Sequence, residues 1–470
     1  MLQCRTPRWV WFGNFGTASL PGGKATRKKR PSAIGDSMQA ITAGAALGDS
    51  PLFQGTYRKV TVRLIPFLFI CYLMAYLDRV NVGFAKLQML TDLHFSETIY
   101  GIGAGIFFIG YFIFEVPSNL ILQKVGPRVW IARIMVTWGV ISAAMIYTSS
   151  PLVYYALRFL LGVAEAGFFP GIILYLTFWY PDALRGRVIA WFLTAVALSG
   201  AIGGPISGWI MHTFVSVGSL ANWQWLFLLE GLPSILLGVV TFFYLDDGID
   251  QAAWLTPGEK GELREKIAAD SSRRRDMPLS AVLKNGAVWT FGAIYFLFVM
   301  GLYGVSFWLP NLIKSAGVAN LVNVGWLSSI PYIAAAIGMV LIGRHSDRTG
   351  ERHWHIAVCG FIGAGGFVLS SLFAENLAVA LVGITIATVS ILTTIALSWT
   401  LPTRYYAGTA AAAAIALINS LGNLSGFVSP YLIGWIKDET GSLTGGLALL
   451  AACFVAGSIV TLLSRRIDYS

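Results

Sequence analysis

Charge is what this chain has least of. Only 12% of its 470 residues are Asp, Glu, Lys or Arg, against 56% apolar, whereas about a quarter of a soluble domain is charged. That scarcity excludes an ordinary soluble fold. Cysteine is scarce too: Cys4, Cys71, Cys359 and Cys453 have no paired spacing and three of them lie in apolar segments, which argues against a disulfide framework or a metal knuckle. His345, His353 and His355 cluster in sequence but have no matching acid or cysteine set, so no metal site is expected. The glycine-rich segments lack the lysine and strand context of a phosphate cradle, which argues against an ATP-driven pump, and no cofactor or enzymatic chemistry is expected. No filter-like repeat or charged ring suggests a channel, and no run of short alternating strands suggests a β-barrel.

Long apolar runs are what the chain does have. About twelve stretches of membrane-spanning length centre near positions 74, 110, 139, 165, 198, 235, 297, 333, 363, 386, 420 and 453. Six precede and six follow a polar middle from Asp246 to Lys284, within which Glu262 to Ala269 can form a short surface helix. The expected fold class is an all-α polytopic membrane protein of twelve transmembrane helices in two pseudo-symmetric six-helix bundles, with a site between them. The expected organisation is a tail over 1–56, a first bundle over 57–245, a cytoplasmic linker over 246–284, a second bundle over 285–466, and a short tail over 467–470. The first segment, with its basic run Arg27-Lys28-Lys29-Arg30, has too brief an apolar core for a signal peptide; a start at Met38 or a lipid-binding arm are the alternatives.

The net charge of +10 follows the loops. With a cytoplasmic amino terminus, ten Lys or Arg precede or open the first span, Lys124, Arg128, Arg133, Arg185 and Arg187 fall in the next cytoplasmic connections, and seven lie between Lys260 and Lys284. Opposite loops hold only Lys86, Lys314 and Lys437. This positive-inside asymmetry places both termini in the cytoplasm and leaves no folded basic domain for a nucleic-acid partner.

Ionisable groups inside apolar spans are costly and mark pathways. Asp78-Arg79 stand together in the stretch from Leu64 to Ala85, and Arg158 and Glu165 lie seven residues apart in another, nearly two turns and so on one helical face. Arginine stays protonated and presents a planar fork that matches a carboxylate, which makes Arg79 and Arg158 the candidate anion anchors. Asp78 and Glu165 are the candidate proton carriers: substrate that competes for an arginine alters the proton affinity of the neighbouring acid. Glu115 is a weaker candidate. Tyr111, Trp399 and Asn419 can supply hydroxyl, indole or amide edges to a pocket, while Trp308, in Phe307-Trp308-Leu309-Pro310 at an expected helix break, ranks below them. Arg344 and Arg348 flank Asp347 in a cytoplasmic loop, where charge-assisted bonds can latch two spans together.

The loop Gly343-Arg344-His345-Ser346-Asp347-Arg348-Thr349-Gly350-Glu351-Arg352 resembles the signature of the major facilitator superfamily, between its eighth and ninth spans. Its first-half counterpart keeps Lys124 and Gly126 but has Gln123 in place of the usual acid, so the resemblance implies an asymmetric latch. Together with the stretches from Tyr76 to Ala85 and from Gly110 to Pro117, and with the fourth-span stretch from Arg158 to Gly167, the chain is similar to the anion:cation symporter branch from about Tyr57 to Arg466.

That resemblance implies proton-coupled uptake of a small organic carboxylate by alternating access, in a multi-pass protein of the bacterial inner membrane that works as a monomer among lipids. It raises Arg158, Glu165, Tyr111, Trp399 and Asn419 as site residues. Members of the branch carry tartrate, hexonates, hexuronates or aromatic carboxylates. The fifth-span segment Leu193 to Ser199 lacks amide side chains, which favours tartrate or a similar hydroxy-dicarboxylate, with an aromatic carboxylate or sugar acid as alternatives; an anion-sensing membrane protein without transport is a further one.

Overall fold

The computed structural model describes residues 51–215, 217–271, 284–405 and 408–466; most of the expected tail and much of the linker lie outside them. Among these described residues, sixteen α-helices follow in chain order. They are α1 (Pro51–Val80), α2 (Val82–Leu93), α3 (Glu97–Val125), α4 (Pro127–Ala144), α5 (Pro151–Glu165), α6 (Phe168–Thr177), α7 (Asp182–Thr213) and α8 (Asn222–Tyr244). After these come α9 (Pro257–Ser271), α10 (Gly286–Ser315), α11 (Leu321–Thr349), α12 (His353–Leu372), α13 (Leu377–Ser398), α14 (Thr400–Tyr405), α15 (Gly408–Thr440) and α16 (Thr444–Leu463). Among the described residues, eleven segments are long and apolar enough to cross a membrane, and the 33-residue α15 is a further long helix.

Local chemistry sets where the helices begin. Ser96 accepts from the Ile99 amide to open α3, and Ser150 precedes Pro151 and accepts from the Val153 amide to open α5. Asn285, Asn320 and Asn376 do the same for α10, α11 and α13, satisfying amides that a helix start leaves unpaired. Large side chains on the outer faces, such as Phe243 and Leu152, are more than three-quarters exposed, as a hydrocarbon-facing surface requires.

Among the described residues, three spans are interrupted, two of them well inside their length and the tenth close to its end. The first pauses at Asn81, between α1 and α2; the fourth breaks at Ala166-Gly167, between α5 and α6; the tenth breaks at Trp399, between α13 and α14. Gly167 has φ +85° and would place a Cβ only 2.3 Å from Ser118 Oγ, so glycine is required there both for conformation and for space. Trp308 and Pro310 were expected at a break, but α10 runs through them unbroken. The N–H that proline lacks is tolerated where the helix is packed among neighbours, as Pro310 is.

The two halves meet through α7 against α11, α3 against α15, and α2 against α10. Small residues allow the approach: a Cβ on Gly325 would lie 2.3 Å from the Gly204 carbonyl oxygen, and one on Gly101 would lie 2.4 Å from that of Pro430. Backbones this close gain packing that lipid cannot match. Gly325→Val is expected to force the halves apart at this crossing at a cost of about 1–3 kcal/mol, seen as a lower thermal midpoint in detergent, whereas the same change at Gly343, where added bulk meets nothing, leaves the midpoint in place.

Candidate functional site

The first and fourth spans bring Arg79 and Glu165 together at their interruptions. Arg79 lies in the last turn of α1, and Glu165 is the final residue of α5 because the Gly167 turn ends that helix. Both are buried. Arg79 Nε donates to Glu165 Oε1 at 3.1 Å, and Nη2 donates to the same oxygen, which leaves Glu165 Oε2 without a partner. The guanidinium carbon lies 5.3 Å from the ring centres of both Phe107 and Tyr111, and Tyr303 of α10 is its neighbour from the other half. Aromatic faces add to the stabilisation of a desolvated cation.

Arg158 is placed differently. It shares the buried face of α5 with Glu165, as the seven-residue spacing predicts, but it makes no ion pair with that acid. Its Nε donates to the Gly103 carbonyl at 3.1 Å and its Nη2 to that of Ala104 at 3.3 Å. The reach to the α3 backbone depends on close packing of α3 and α5, where a Cβ on Gly162 would stand 1.9 Å from the Phe107 carbonyl oxygen. Arg158 is wholly buried, and its Nη1 has no hydrogen-bond partner. A buried guanidinium without a carboxylate of its own is an incompletely compensated charge.

Asp78 faces away from both arginines. It accepts from Trp138 Nε1 at 2.9 Å, Ser142 Oγ at 3.1 Å and Ser234 Oγ at 2.5 Å, all neutral donors on α4 and α8. Sequence neighbours on a helix point about 100° apart, so the adjacency Asp78-Arg79 does not make a local pair.

Of the remaining expected residues, Tyr111 lies over Arg79, and Asn419 of α15 lies beside the Glu115 carboxylate of α3, a polar link across the halves. Trp399 packs on Tyr295 with ring centres 4.6 Å apart, within the second half. Trp308 belongs to another cluster, described below. The expected latch is also rearranged. Asp347 is bonded to Arg352, which also donates to Ser346 Oγ at 2.7 Å, rather than to Arg344 or Arg348; Arg348 is exposed. The pair ties the end of α11 to the start of α12. Five residues carry the chain around the Gly350 turn and bring Arg352 back over Asp347. Glu351, partly buried in this loop, is nevertheless held below the usual carboxylate range by the Trp354 amide and by His355.

Other buried ionisable residues escaped the sequence reading. Lys86, taken there for a loop charge, is buried on α2 and pairs with Glu97 at 2.6 Å, while its Nζ lies 3.3 Å from the Trp308 ring centre. Lys437 of α15 reaches the other Glu97 oxygen at 2.5 Å, and Asp438 accepts from the Glu97 and Thr98 amides at 3.0 and 2.7 Å. Tyr100 Oη donates to the Phe307 carbonyl at 3.0 Å. These contacts close the α2–α3 end of the molecule by joining the halves, at the opposite end of α11 from Asp347. Glu230 of α8, the lone acid in its apolar run, is the other omission; it accepts from Ser207 Oγ at 2.7 Å. The rule that singled out Glu165 would have found it.

Two six-helix halves around a buried, charged interior define an integral membrane carrier. The model of the Major Facilitator Superfamily matches residues 68–430, and the chain belongs to that superfamily. It is 49% identical over 420 residues, 88% of this chain and 96% of the relative, to NicT of Pseudomonas putida, named as a candidate metabolite transport protein. It is 48% identical over 411 residues, 87% of this chain and 91% of the relative, to a protein of Agrobacterium vitis named as a candidate tartrate transporter. Among solved structures, a bacterial homologue of the human lysosomal transporter Spinster, in an inward-facing and occupied conformation, superposes with a TM-score of 0.65 at 15% identity, over 89% of this chain and 96% of that one. This last likeness concerns the fold alone.

The seal at the α2–α3 end gives a direct expectation. Glu97→Gln takes from Lys86, only 1% exposed, the carboxylate it pairs with, at a cost of about 3 kcal/mol. The end should open more often, measured as faster maleimide labelling of a single cysteine at Ser306 in a background with Cys4, Cys71, Cys359 and Cys453 replaced by serine; an unchanged rate would show that the cluster does not hold the halves together.

Proposed function

We propose that this chain is a secondary carrier that imports a small organic anion, tartrate or a similar hydroxy-dicarboxylate, with protons across the bacterial inner membrane, with both termini cytoplasmic. The observation that carries the reading is Arg158: a wholly buried guanidinium with Nη1 unpartnered, next to an Arg79–Glu165 pair that a second carboxylate can open. The similarity to a candidate tartrate transporter supports the substrate class. Phe107, which lies beneath both guanidinium groups at 5.2 and 5.3 Å, favours an aromatic carboxylate as the second reading.

The coupling follows from charge. An arriving carboxylate takes hydrogen bonds from Arg158 and Arg79, and Glu165 then loses its cation in a low-dielectric setting, which favours protonation of its free Oε2. Release of the substrate returns Arg79 to Glu165 and expels the proton. Tyr111 positions Arg79 in this scheme, and Glu115 with Asn419 lets the state of the site reach the other half. Asp78 holds α1 against α4 and α8 so that Arg79 is aimed inward, and it is the second carboxylate available to a proton. Trp399 bounds the site from the second half. Alternating access has the α2–α3 seal close one mouth, while the Asp347–Arg352 loop, with Arg344 and Arg348 beside it, governs the other.

Arg158→Lys keeps the charge and loses the fork, so binding of labelled tartrate to purified protein should weaken by about tenfold or more; unchanged affinity in Arg158→Lys and Arg158→Ala rejects the anchor. Glu165→Gln should retain counterflow in proteoliposomes and lose accumulation driven by a pH gradient, whereas normal accumulation assigns the proton elsewhere. Competition by phthalate, galactonate and a monocarboxylate decides between the substrate readings.

A further inference from the structure

Asp78 and Glu230 are neighbouring buried carboxylates of the N-terminal half, and neither has a cation of its own among the described residues. Asp78 is satisfied by three neutral donors, and Glu230, its electrostatic neighbour, accepts from Ser207 Oγ at 2.7 Å and lies against the Asn81 side chain. The groups that face Glu230 are Asp78 from α1, Asn81 from the α1–α2 interruption and Ser207 from α7; neither acid forms an ion pair among the described residues. Arg79, next in sequence to Asp78, is committed to Glu165. Two adjacent buried negative charges without compensation are not stable in a membrane interior.

Asn81 supplies the independent observation. Its side chain is 98% buried, at 2% exposure, and although it neighbours Glu230, neither its Oδ1 nor its Nδ2 has a hydrogen-bond partner within 3.5 Å, and neither has Glu230 Oε2. Asn81 and Ser207 both line a cavity of about 30 Å³ between the halves, which is bounded also by Ser199, Ser306, Ser328 and Tyr332. A cavity needs only about 10–15 Å³ to admit a water, provided that polar partners line it. Asn81, a neighbour of Glu230, and Ser207, its hydrogen-bond donor, therefore border a space where a small polar species can arrive.

We propose that Glu230, Asn81 and Ser207 form a binding site for a monovalent cation, a proton or Na⁺, separate from Arg79–Glu165 and loaded through this cavity. A proton on Glu230 Oε2 can donate to Asn81 Oδ1 and so satisfy these two oxygens at once; Na⁺ takes the same oxygens as ligands with Ser207 Oγ and water. Either cation removes one of the two negative charges. The site deepens the carrier reading, because it adds a cation to each cycle, but binding itself requires no substrate and can be tested without one.

The test uses purified, substrate-free full-length protein. Infrared difference spectra across pH, wild type against Glu230→Gln, report a protonated buried carboxyl band, and thermal midpoints in NaCl against choline chloride report Na⁺ binding. A carboxyl band present in wild type and lost in Glu230→Gln identifies the proton. A Na⁺-specific rise in midpoint lost in Glu230→Gln identifies Na⁺. Neither signal in wild type, or a carboxyl spectrum and a Na⁺ response both unchanged in Glu230→Gln, overturns the site. Should Glu230→Gln fail to fold, Asn81→Ala and Ser207→Ala keep the carboxylate and must shift the pH or Na⁺ midpoint of the signal by about tenfold in cation concentration, the loss of one hydrogen bond to a charged group; no shift in either overturns the proposal. Failure of tartrate binding with these signals intact faults the substrate assignment and leaves the cation site standing.

Discussion

A charge buried at membrane depth has to be matched, and the interior of this protein is arranged around that requirement. Arg79 and Glu165 answer it directly, by pairing across two interrupted helices. Lys86 answers it by pairing with Glu97 and by lying on the Trp308 ring. Arg158 answers it only in part, through the Gly103 and Ala104 carbonyls, and Asp78 and Glu230 rely on neutral donors. Where the match is complete the contact holds structure. Where it is partial, the remaining imbalance is a standing demand for a mobile partner of the opposite sign, and a carrier is a protein in which such demands are met and released in turn.

Small residues make these matches possible. Gly162 and Gly110 let α3 and α5 approach until a guanidinium on one touches the backbone of the other. Gly204 and Gly325 do the same between the halves, and the Lys86–Glu97–Lys437 cluster then spans the crossing at the α2–α3 end. Charge and close packing therefore act at the same places, so a shift of one half against the other alters the electrostatics of the interior without any helix having to unfold.

Much of this was legible in the residues. Apolar runs near twelve positions became the long helices, and the rule that an acid or base within such a run is functional or paired located Asp78, Arg79, Arg158 and Glu165, all of which are buried. The polar stretch around Glu262 does carry a helix, α9, though it begins earlier, at Pro257. The same rule would have found Glu230 had it been applied to the sixth span. Lys86 was misread because its helix continues past the Asn81 pause, which apolar-run length does not reveal. Asp347 was grouped with its flanking arginines because they are near in sequence, but the turn at Gly350 brought Arg352 back to it.

By itself, then, the sequence determined the membrane class, the number of spans and which ionisable groups are trapped inside them, because hydropathy and length are properties of a segment alone. Only the tertiary structure decided who meets whom: Glu165 with Arg79 instead of Arg158, Asp78 with three neutral donors, Lys86 with Glu97, and Glu230 with Ser207 and Asn81. The physical reason is that pairing depends on helix rotation and on the distance between axes, and these are set by glycines, kinks and packing partners far apart in the chain.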